Sequence, residues 1–311
     1  MTVRAPVGAI AFSNIHSCIG RGVCAIRNTN NFIYHYLIKL ENSWEKISQG
    51  STFTAVNSND IKKLQLILPN IQEQEKIANF LSSVDKKISL TEEKLELFRE
   101  YKKGVMQKIF SQELRFKDSN GNDYPEWEEK RLGDILEEYN EKTTINNQYL
   151  TLSSTATGIY LQEEYFNRQI ASTNNIGYKI LKKDQLVFSP QNLWLGNINI
   201  NTKYDIGMVS PSYKIFNLKN NIILVNYFKN LIRTPKMLEE YKNASEQGAS
   251  IVRRNLDMNQ FNNIYIQLPC YEEQQKIADF LSSIDNKIES IEKKLEGLKE
   301  FKKGLLQQMF V

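Results

Sequence analysis

Residues 68–88 read LPNIQEQEKIANFLSSVDKKI, and residues 268–288 read LPCYEEQQKIADFLSSIDNKI. The likeness runs on past both strings. Aligned without a gap at an offset of 200, residues 68–110 and 268–310 agree at 24 of 43 positions. A gapless match of that length is an internal duplication.

Each copy places its seam residues in alternating steps of four and three. The first runs Ile77, Leu81, Val84, Ile88, Thr91, Leu95, Phe98, Lys102, Val105, Ile109. The second runs Ile277, Leu281, Ile284, Ile288, Ile291, Leu295, Leu298, Lys302, Leu305, Met309. With charges between, this heptad pattern predicts two coiled-coil helices. Pro69 and Pro269 mark their starts, and Asn70 with Glu73 predicts a capping box in the first. At 1.5 Å per residue each helix runs on the order of 55–60 Å, too long for the core of a small domain. Pairing with each other buries both seams; an unrelated partner or a homodimer is the other way to bury them.

The repeat extends upstream, more weakly. QGST (Gln49–Thr52) answers QGAS (Gln247–Ser250), and NDIKKLQLILP answers NQFNNIYIQLP. The alternating LQLIL and IYIQL segments predict strands leading into the helices. Each copy is therefore expected to be a mixed α/β globule followed by a long helix, an α+β arrangement. The copies are unequal, because Met1 aligns near Gln185 and residues 111–184 have no counterpart in the first. The second globule opens with ELRFKDSNGNDYPEWEEKRLGDILEEY, where Asn120–Gly121 predicts a turn. The expected division is 1–67, a truncated first globule; 68–110, the first helix; 111–267, a complete second globule; and 268–311, the second helix.

The 311 residues are 41% apolar and 24% charged, a globular composition with room for two cores. No apolar run reaches the roughly 18–20 residues of a membrane span. Near the N-terminus, VGAIAF (residues 7–12) is six residues long and flanked by Pro6, which favours a strand over a lipoprotein signal. Cys18, Cys24 and Cys270 are odd in number and lack CxxC spacing, which supports neither a disulfide framework nor a zinc site and fits a reducing cytoplasm. Charge is uneven. Residues 111–141 hold 4 Lys/Arg against 10 Asp/Glu, whereas residues 142–236 hold 11 against 4. The basic stretch predicts a polyanion-facing surface; lysines that only solubilise loops are the alternative.

Catalytic motifs are lacking. The nearest string to the [DNS]PP[FY] loop of an adenine methyltransferase is SPQN (Ser189–Asn192), without the second proline and the aromatic. No G-x-x-x-x-G-K-[ST] phosphate loop is present. His16 and His35 make no triad or metal spacing and are expected to be packing or surface residues. No catalytic residue, cofactor or metal site is therefore expected.

With the LPNIQEQEKIANFLSSVDKKI and LPCYEEQQKIADFLSSIDNKI repeats, each behind a QGS-like loop, and with VRAPVGAIA and RFKDSNGNDYPEWEEKRLGDI, the chain resembles the specificity (S) subunits of type I restriction–modification systems. The resemblance covers essentially the whole chain. It implies two target recognition domains, each followed by a helix, with the two helices packed antiparallel as a spacer. It further implies that each domain reads one half of a split site in double-stranded DNA. Two methyltransferase (M) subunits would dock on the helices, and restriction (R) subunits would join through M. The first domain departs from the pattern by its missing front half, which puts its half-site in doubt. A coiled-coil protein-interaction module, a free-standing methyltransferase, and a truncated cassette without function are the competing classes.

For DNA contact, phosphates give salt-dependent affinity, while Arg–guanine and Asn/Gln–adenine pairs give specificity. The loop around Gly248 offers Gln247, Ser250, Arg253, Arg254 and Asn255 as DNA contacts, with a surface salt-bridge pair the alternative for the two arginines. SPQNLWLGN offers Gln191 and Asn192, with Trp194 open to either base contact or a core role. GMVSPSYK offers Ser212, Tyr213 and Lys214, and Lys203 is a further phosphate contact. Lys102–Lys103 and Lys302–Lys303 would touch phosphate or partner subunits, or lie on a solvated face. A rod of about 55 Å spans roughly 16 base pairs, so readers at its two ends would touch DNA more than one turn apart.

Overall fold

The structure, a computed structural model, describes residues 1–4, 7–27, 30–41, 56, 61–166, 174–219, 221–247 and 254–310. Among the described residues the first elements are helix α1 (Phe32–Lys39) and the long helix α2 (Ile71–Phe110). There follow β1 (Glu128–Arg131), α3 (Leu132–Ile135), β2 (Leu136–Tyr139), β3 (Leu152–Ser154), β4 (Ile159–Leu161), α4 (Gln162–Phe166), β5 (Lys179–Lys182) and β6 (Leu186–Phe188). Next come β7 (Ile198–Ile200), β8 (Ile206–Val209), β9 (Lys214–Leu218), α5 (Val225–Leu231) and α6 (Pro235–Asn243). The last elements are β10 (Ser245–Gln247), β11 (Arg254–Leu256), α7 (Met258–Asn262), β12 (Tyr265–Leu268) and the long helix α8 (Tyr271–Met309). They fall into two compact units, Met1–Arg99 with Lys287–Val311, and Glu100–Asn286.

The long helices pair antiparallel. In the first unit Lys302 meets Asp85 at 2.5 Å, Lys299 meets Glu92 at 2.7 Å and Arg99 meets Glu292 at 2.7 Å, so one helix rises in number as the other falls. In the second unit Lys102 meets Asp285 at 2.6 Å. Shifted by 200, Lys302–Asp85 and Lys102–Asp285 are one pair written twice, as are Lys299–Glu92 and Arg99–Glu292. Along the seam Leu81, Val84, Leu95, Ile277, Leu281 and Ile284 are buried, and Ile77, Ile88, Ile288 and Leu295 are half-buried. Lys102 and Lys302 keep seam positions by laying their stems along the apolar stripe while the ammonium reaches a carboxylate at the edge. Thr91 is buried in the seam because its hydroxyl donates to the Lys87 carbonyl at 2.7 Å. At the start of α2 the Asn70 carboxamide oxygen accepts from the Glu73 N–H at 3.0 Å, one half of the predicted capping box.

In the first unit α1 is anchored by Phe32, which packs with Ala78, Leu81, Leu306 and Phe310. One turn on, His35 is buried against Ser82 (Nε2 to Oγ, 3.2 Å), with Nδ1 3.8 Å from Asp85. Burial lowers its pKa to about 4 against the opposing pull of the Asp85 charge. His16 is exposed. Two predicted strands do not form here. Residues 7–12 carry no strand, and Gly8 sits at φ 92. LQLIL (residues 64–68) pairs with no strand among the described residues, whereas its copy IYIQL supplies β12. A strand exists only with a partner: β12 has β1, in register from Glu128↔Leu268 to Arg131↔Tyr265.

The second unit is built on an antiparallel sheet of order β2-β9-β6-β7. Side chains alternate across it. Val187 and Ile215 face one way, into a cluster with Leu152, Leu181 and Val209. Phe188 and Phe216 face the other way, stacked at 5.6 Å, with Phe261 of α7 4.9 Å from Phe188. Both faces are covered, so β6 is buried throughout. The β5–β8 pair packs against β3 at Gly207, where a Cβ would lie 2.4 Å from Leu152 Cδ1. Asn120–Gly121 forms the predicted turn, with Gly121 at φ 85 and Asp118 Oδ1 accepting from the N–H groups of Asn120 and Asn122, both at 2.8 Å.

Candidate nucleic-acid interface

Strand register brings two of the predicted loops together. Phe188, the last residue of β6, pairs with Lys214, the first of β9. The loop after β6, with Gln191 and Asn192, and the loop before β9, with Ser212 and Tyr213, therefore leave the same end of the sheet. Strand β11 joins them, because the Arg254 N–H donates to the Gln191 carbonyl at 3.3 Å. Gln191 and Asn255 are exposed and Asn192 is half-buried. Their carboxamides make no hydrogen bond among the described residues.

Arg254 is engaged within the unit. Its guanidinium lies 5.1 Å from the Trp194 ring centroid and donates to the carbonyls of Lys242 (3.3 Å) and Ser245 (3.2 Å). It ties the end of α6 to the loop after β6, and Trp194 is the platform beneath it. Tyr213 is also engaged: its hydroxyl donates to the Ser154 carbonyl at 3.1 Å, and burial raises its pKa. Ser212 remains exposed, with Oγ 3.1 Å from Ser210 Oγ. Ser250 and Arg253 lie outside the described residues, and Gln247 is described through its backbone, which pairs with Arg254 in β10–β11.

Lysines of the basic stretch are partly neutralised inside the unit. Lys214 pairs with Glu138 at 2.5 Å and Lys182 with Glu141 at 2.8 Å. Buried Lys179 donates to the Tyr213 carbonyl at 2.7 Å, and desolvation, with the Lys214 charge adding to it, lowers its pKa. The acidic segment preceding the basic one thus supplies counter-charges to β9 and β5, a pairing that net charge per segment conceals. Lys203 is exposed over the Tyr204 ring at 5.0 Å. It follows β7 from the end where Ile200 pairs with Leu186, opposite to the end that carries Gln191.

The structure adds residues that sequence reasoning missed. The β3–β4 turn, Thr155–Gly158, comes to the same end of the sheet. Asn199 donates to Ser154 Oγ and to the Thr155 carbonyl, both at 2.8 Å, and Ser154 Oγ donates to Asn197 at 2.9 Å. Arg233, between α5 and α6, donates to Asn199 Oδ1 at 3.3 Å and to the Ala156 carbonyl. No carboxylate pairs with Arg233 among the described residues. The signal in sequence was slight: TATG (residues 155–158) reads as a turn, but nothing local joins it to Arg233.

The result is a polar rim at one end of the sheet, made of three loops and a strand, with free amide groups on the Gln191 loop and β11 and a cation held at the 155–158 turn. Among the described residues no three His, Cys, Asp or Glu side chains gather as metal ligands, and no helix is long and apolar enough to cross a membrane.

The family described as type I restriction modification DNA specificity domain matches residues 1–97 and 124–300, most of the chain. This chain belongs to that family. Its relatives include the type I restriction enzyme MjaVIII specificity subunit of Methanocaldococcus jannaschii, 26% identical over 303 residues, covering 87% of this chain and 67% of the relative. The MjaX relative of the same organism is 30% identical over 122 residues, which span 38% of this chain but 29% of that protein. Among solved structures, the S subunit of a type I restriction-modification system from M. genitalium matches with a TM-score of 0.53 at 19% identity. The match covers 90% of this chain and 72% of that one, a likeness of fold. The specificity domain family accordingly has here the expected α+β globules with paired long helices.

Proposed function

We propose that this chain is the non-catalytic DNA-reading subunit of a type I restriction–modification complex in the cytoplasm, and that its second globule, residues 111–267, reads one half of a bipartite site. The observation that carries this reading is the convergence of Gln191, Asn192, Ser212 and Asn255 at one end of the sheet. Asn and Gln carboxamides match the donor–acceptor pair of adenine in the major groove, worth about 1–3 kcal/mol of discrimination each. Arg233, held at the 155–158 turn, supplies a cation for phosphate or guanine. Arg254 acts indirectly, by holding the Gln191 loop against α6.

The two long helices, residues 68–110 and 268–311, are the spacer and the docking rod for M subunits, with R subunits bound through M. Residues 1–67 make the first globule. Methyl transfer and ATP hydrolysis belong to the partners, in keeping with the missing cofactor and phosphate motifs.

The test is selection of duplexes from a randomised library by this chain with its M subunits. One half of the selected motif should relax at a single position in Gln191→Ala, Asn192→Ala or Asn255→Ala, while affinity falls with salt in every case. Selection of no motif, or a motif untouched by all three substitutions, would refute the reading.

A further inference from the structure

The second copy of the repeat carries a docked segment, and the first copy carries the same socket empty of any described partner. In the second unit, residues 115–131 lie along the start of α8. Arg115 donates to both carboxylate oxygens of Glu273, at 2.9 and 3.3 Å, and Trp127 Nε1 donates to the same group at 3.0 Å. Phe116 meets Phe280 edge-on at 5.4 Å. Lys276 donates to the Lys117 carbonyl at 2.6 Å and sits 5.7 Å from the Tyr124 ring centroid. Just beyond, β1 completes β12.

Subtracting 200 from the socket residues gives Glu73, Lys76 and Phe80, identical in type, preceded by LQLIL in place of β12. Glu273 is 0% exposed and Leu268 4%, but Glu73 and Lys76 are exposed, Leu68 is 51% exposed and Ile67 79%. Phe80 is 43% exposed. The side chains of Glu73 and Lys76, and the backbone of residues 65–68, have no hydrogen-bond partner among the described residues. The segment RFKDSNGNDYPEW occurs once in the sequence, and it is used on the second copy.

We propose that residues 64–68 with Glu73, Lys76 and Phe80 form a docking site for a polypeptide segment of the Arg-Phe…Tyr-Pro-x-Trp-strand kind, supplied from outside residues 1–311. The chemistry is specified point by point. A guanidinium and an indole N–H answer Glu73, an aromatic ring answers Phe80, and a carbonyl and a tyrosine ring answer Lys76. An edge strand adds to residues 64–68, with main-chain hydrogen bonds giving affinity and alternate side chains giving specificity. The inference stands on the duplicated socket and is independent of how the second globule reads DNA.

The experiment is anisotropy titration of the full chain against a fluorescent peptide of residues 113–135, with hydrogen exchange of residues 64–80 read alongside. Saturable binding is expected, with slowed exchange at residues 64–68. Glu73→Lys or Phe80→Ala in the chain, or Trp127→Ala in the peptide, should weaken binding by about tenfold or more, and Glu93→Lys should leave it unchanged. Absence of saturable binding and of exchange protection would overturn the proposal. So would binding lost in Glu273→Lys but kept in Glu73→Lys, which places the peptide on the second copy. A chain dimer abolished by Glu73→Lys would also overturn it, since the occupant would then be a second copy of this chain.

Discussion

Glu273 and Glu73 are the same residue of the repeat in two environments, and their truncation should have very unequal effects. Glu273→Ala removes a fully buried carboxylate that accepts two hydrogen bonds from Arg115 and one from Trp127. It leaves Arg115, 20% exposed, with the Tyr124 and Pro125 carbonyls and Glu126, and it strands an indole N–H with no other acceptor among the described residues. The hydrogen bond to Glu273 is also the largest influence raising the Arg115 pKa. Deleting one member of a buried ion pair costs about 3–5 kcal/mol, and an orphaned buried donor about 1–3 kcal/mol. The two penalties overlap, so we expect about 4 kcal/mol in total. In urea, with a slope of about 2 kcal/mol per molar, the midpoint of the second unit should fall by about 2 M. Hydrogen exchange at the β1–β12 amides should rise in step. Glu73→Ala, which removes an exposed carboxylate without described partners, should stay within about 0.5 kcal/mol of the parent. Equal losses from the two substitutions, or a loss below about 1 kcal/mol for Glu273→Ala, would refute the reasoning.

His35 holds its proton less tightly in the fold, at about 4 against 6.5. Stability should therefore be full above pH 6.5, fall between pH 6.5 and 4, and level off below, by about 3 kcal/mol in all. Exchange at α1 followed against pH reads this, and His35→Gln should flatten the profile. Gly207→Ala should destabilise the second unit by about 1–3 kcal/mol in urea unfolding, since the new methyl overlaps Leu152. Arg254→Ala should loosen the Gln191 loop and lower affinity for preferred sequences while removing no single base preference, which duplex selection measures.

Much of the architecture was legible from the repeat. A 200-residue offset announces two long helices, and the heptad steps mark the stripe that pairs them. The same offset implies that Asp85, Glu92, Arg99 and Lys102 each recur in an equivalent ion pair, which is how the helices meet. The fate of LQLIL was not legible. Its alternation equals that of IYIQL, but strand formation depends on a partner 130-odd positions away in the second copy and on none described in the first. The candidate interface was half legible. Turn-rich strings pointed to Gln191, Asn192 and Ser212, because loops between strands announce themselves by local composition. Arg233 and the 155–158 turn were invisible, because they are joined to that rim by tertiary hydrogen bonds, through Asn199, Asn197 and Tyr213. The net charge of the basic stretch conceals pairing for the same reason: Glu138 and Glu141 reach Lys214 and Lys182 across the fold.

The claim that the rim at the end of the β6–β9 sheet touches bases is tested most directly by photocrosslinking. A benzophenone side chain at position 191, 212 or 255, in the chain assembled with M subunits on a duplex carrying the selected motif, should form adducts on bases within one half-site. The same group at position 130, on β1, should form none. Adducts from position 130 alone, or from none of the three rim positions while the complex still binds the motif, would contradict the account.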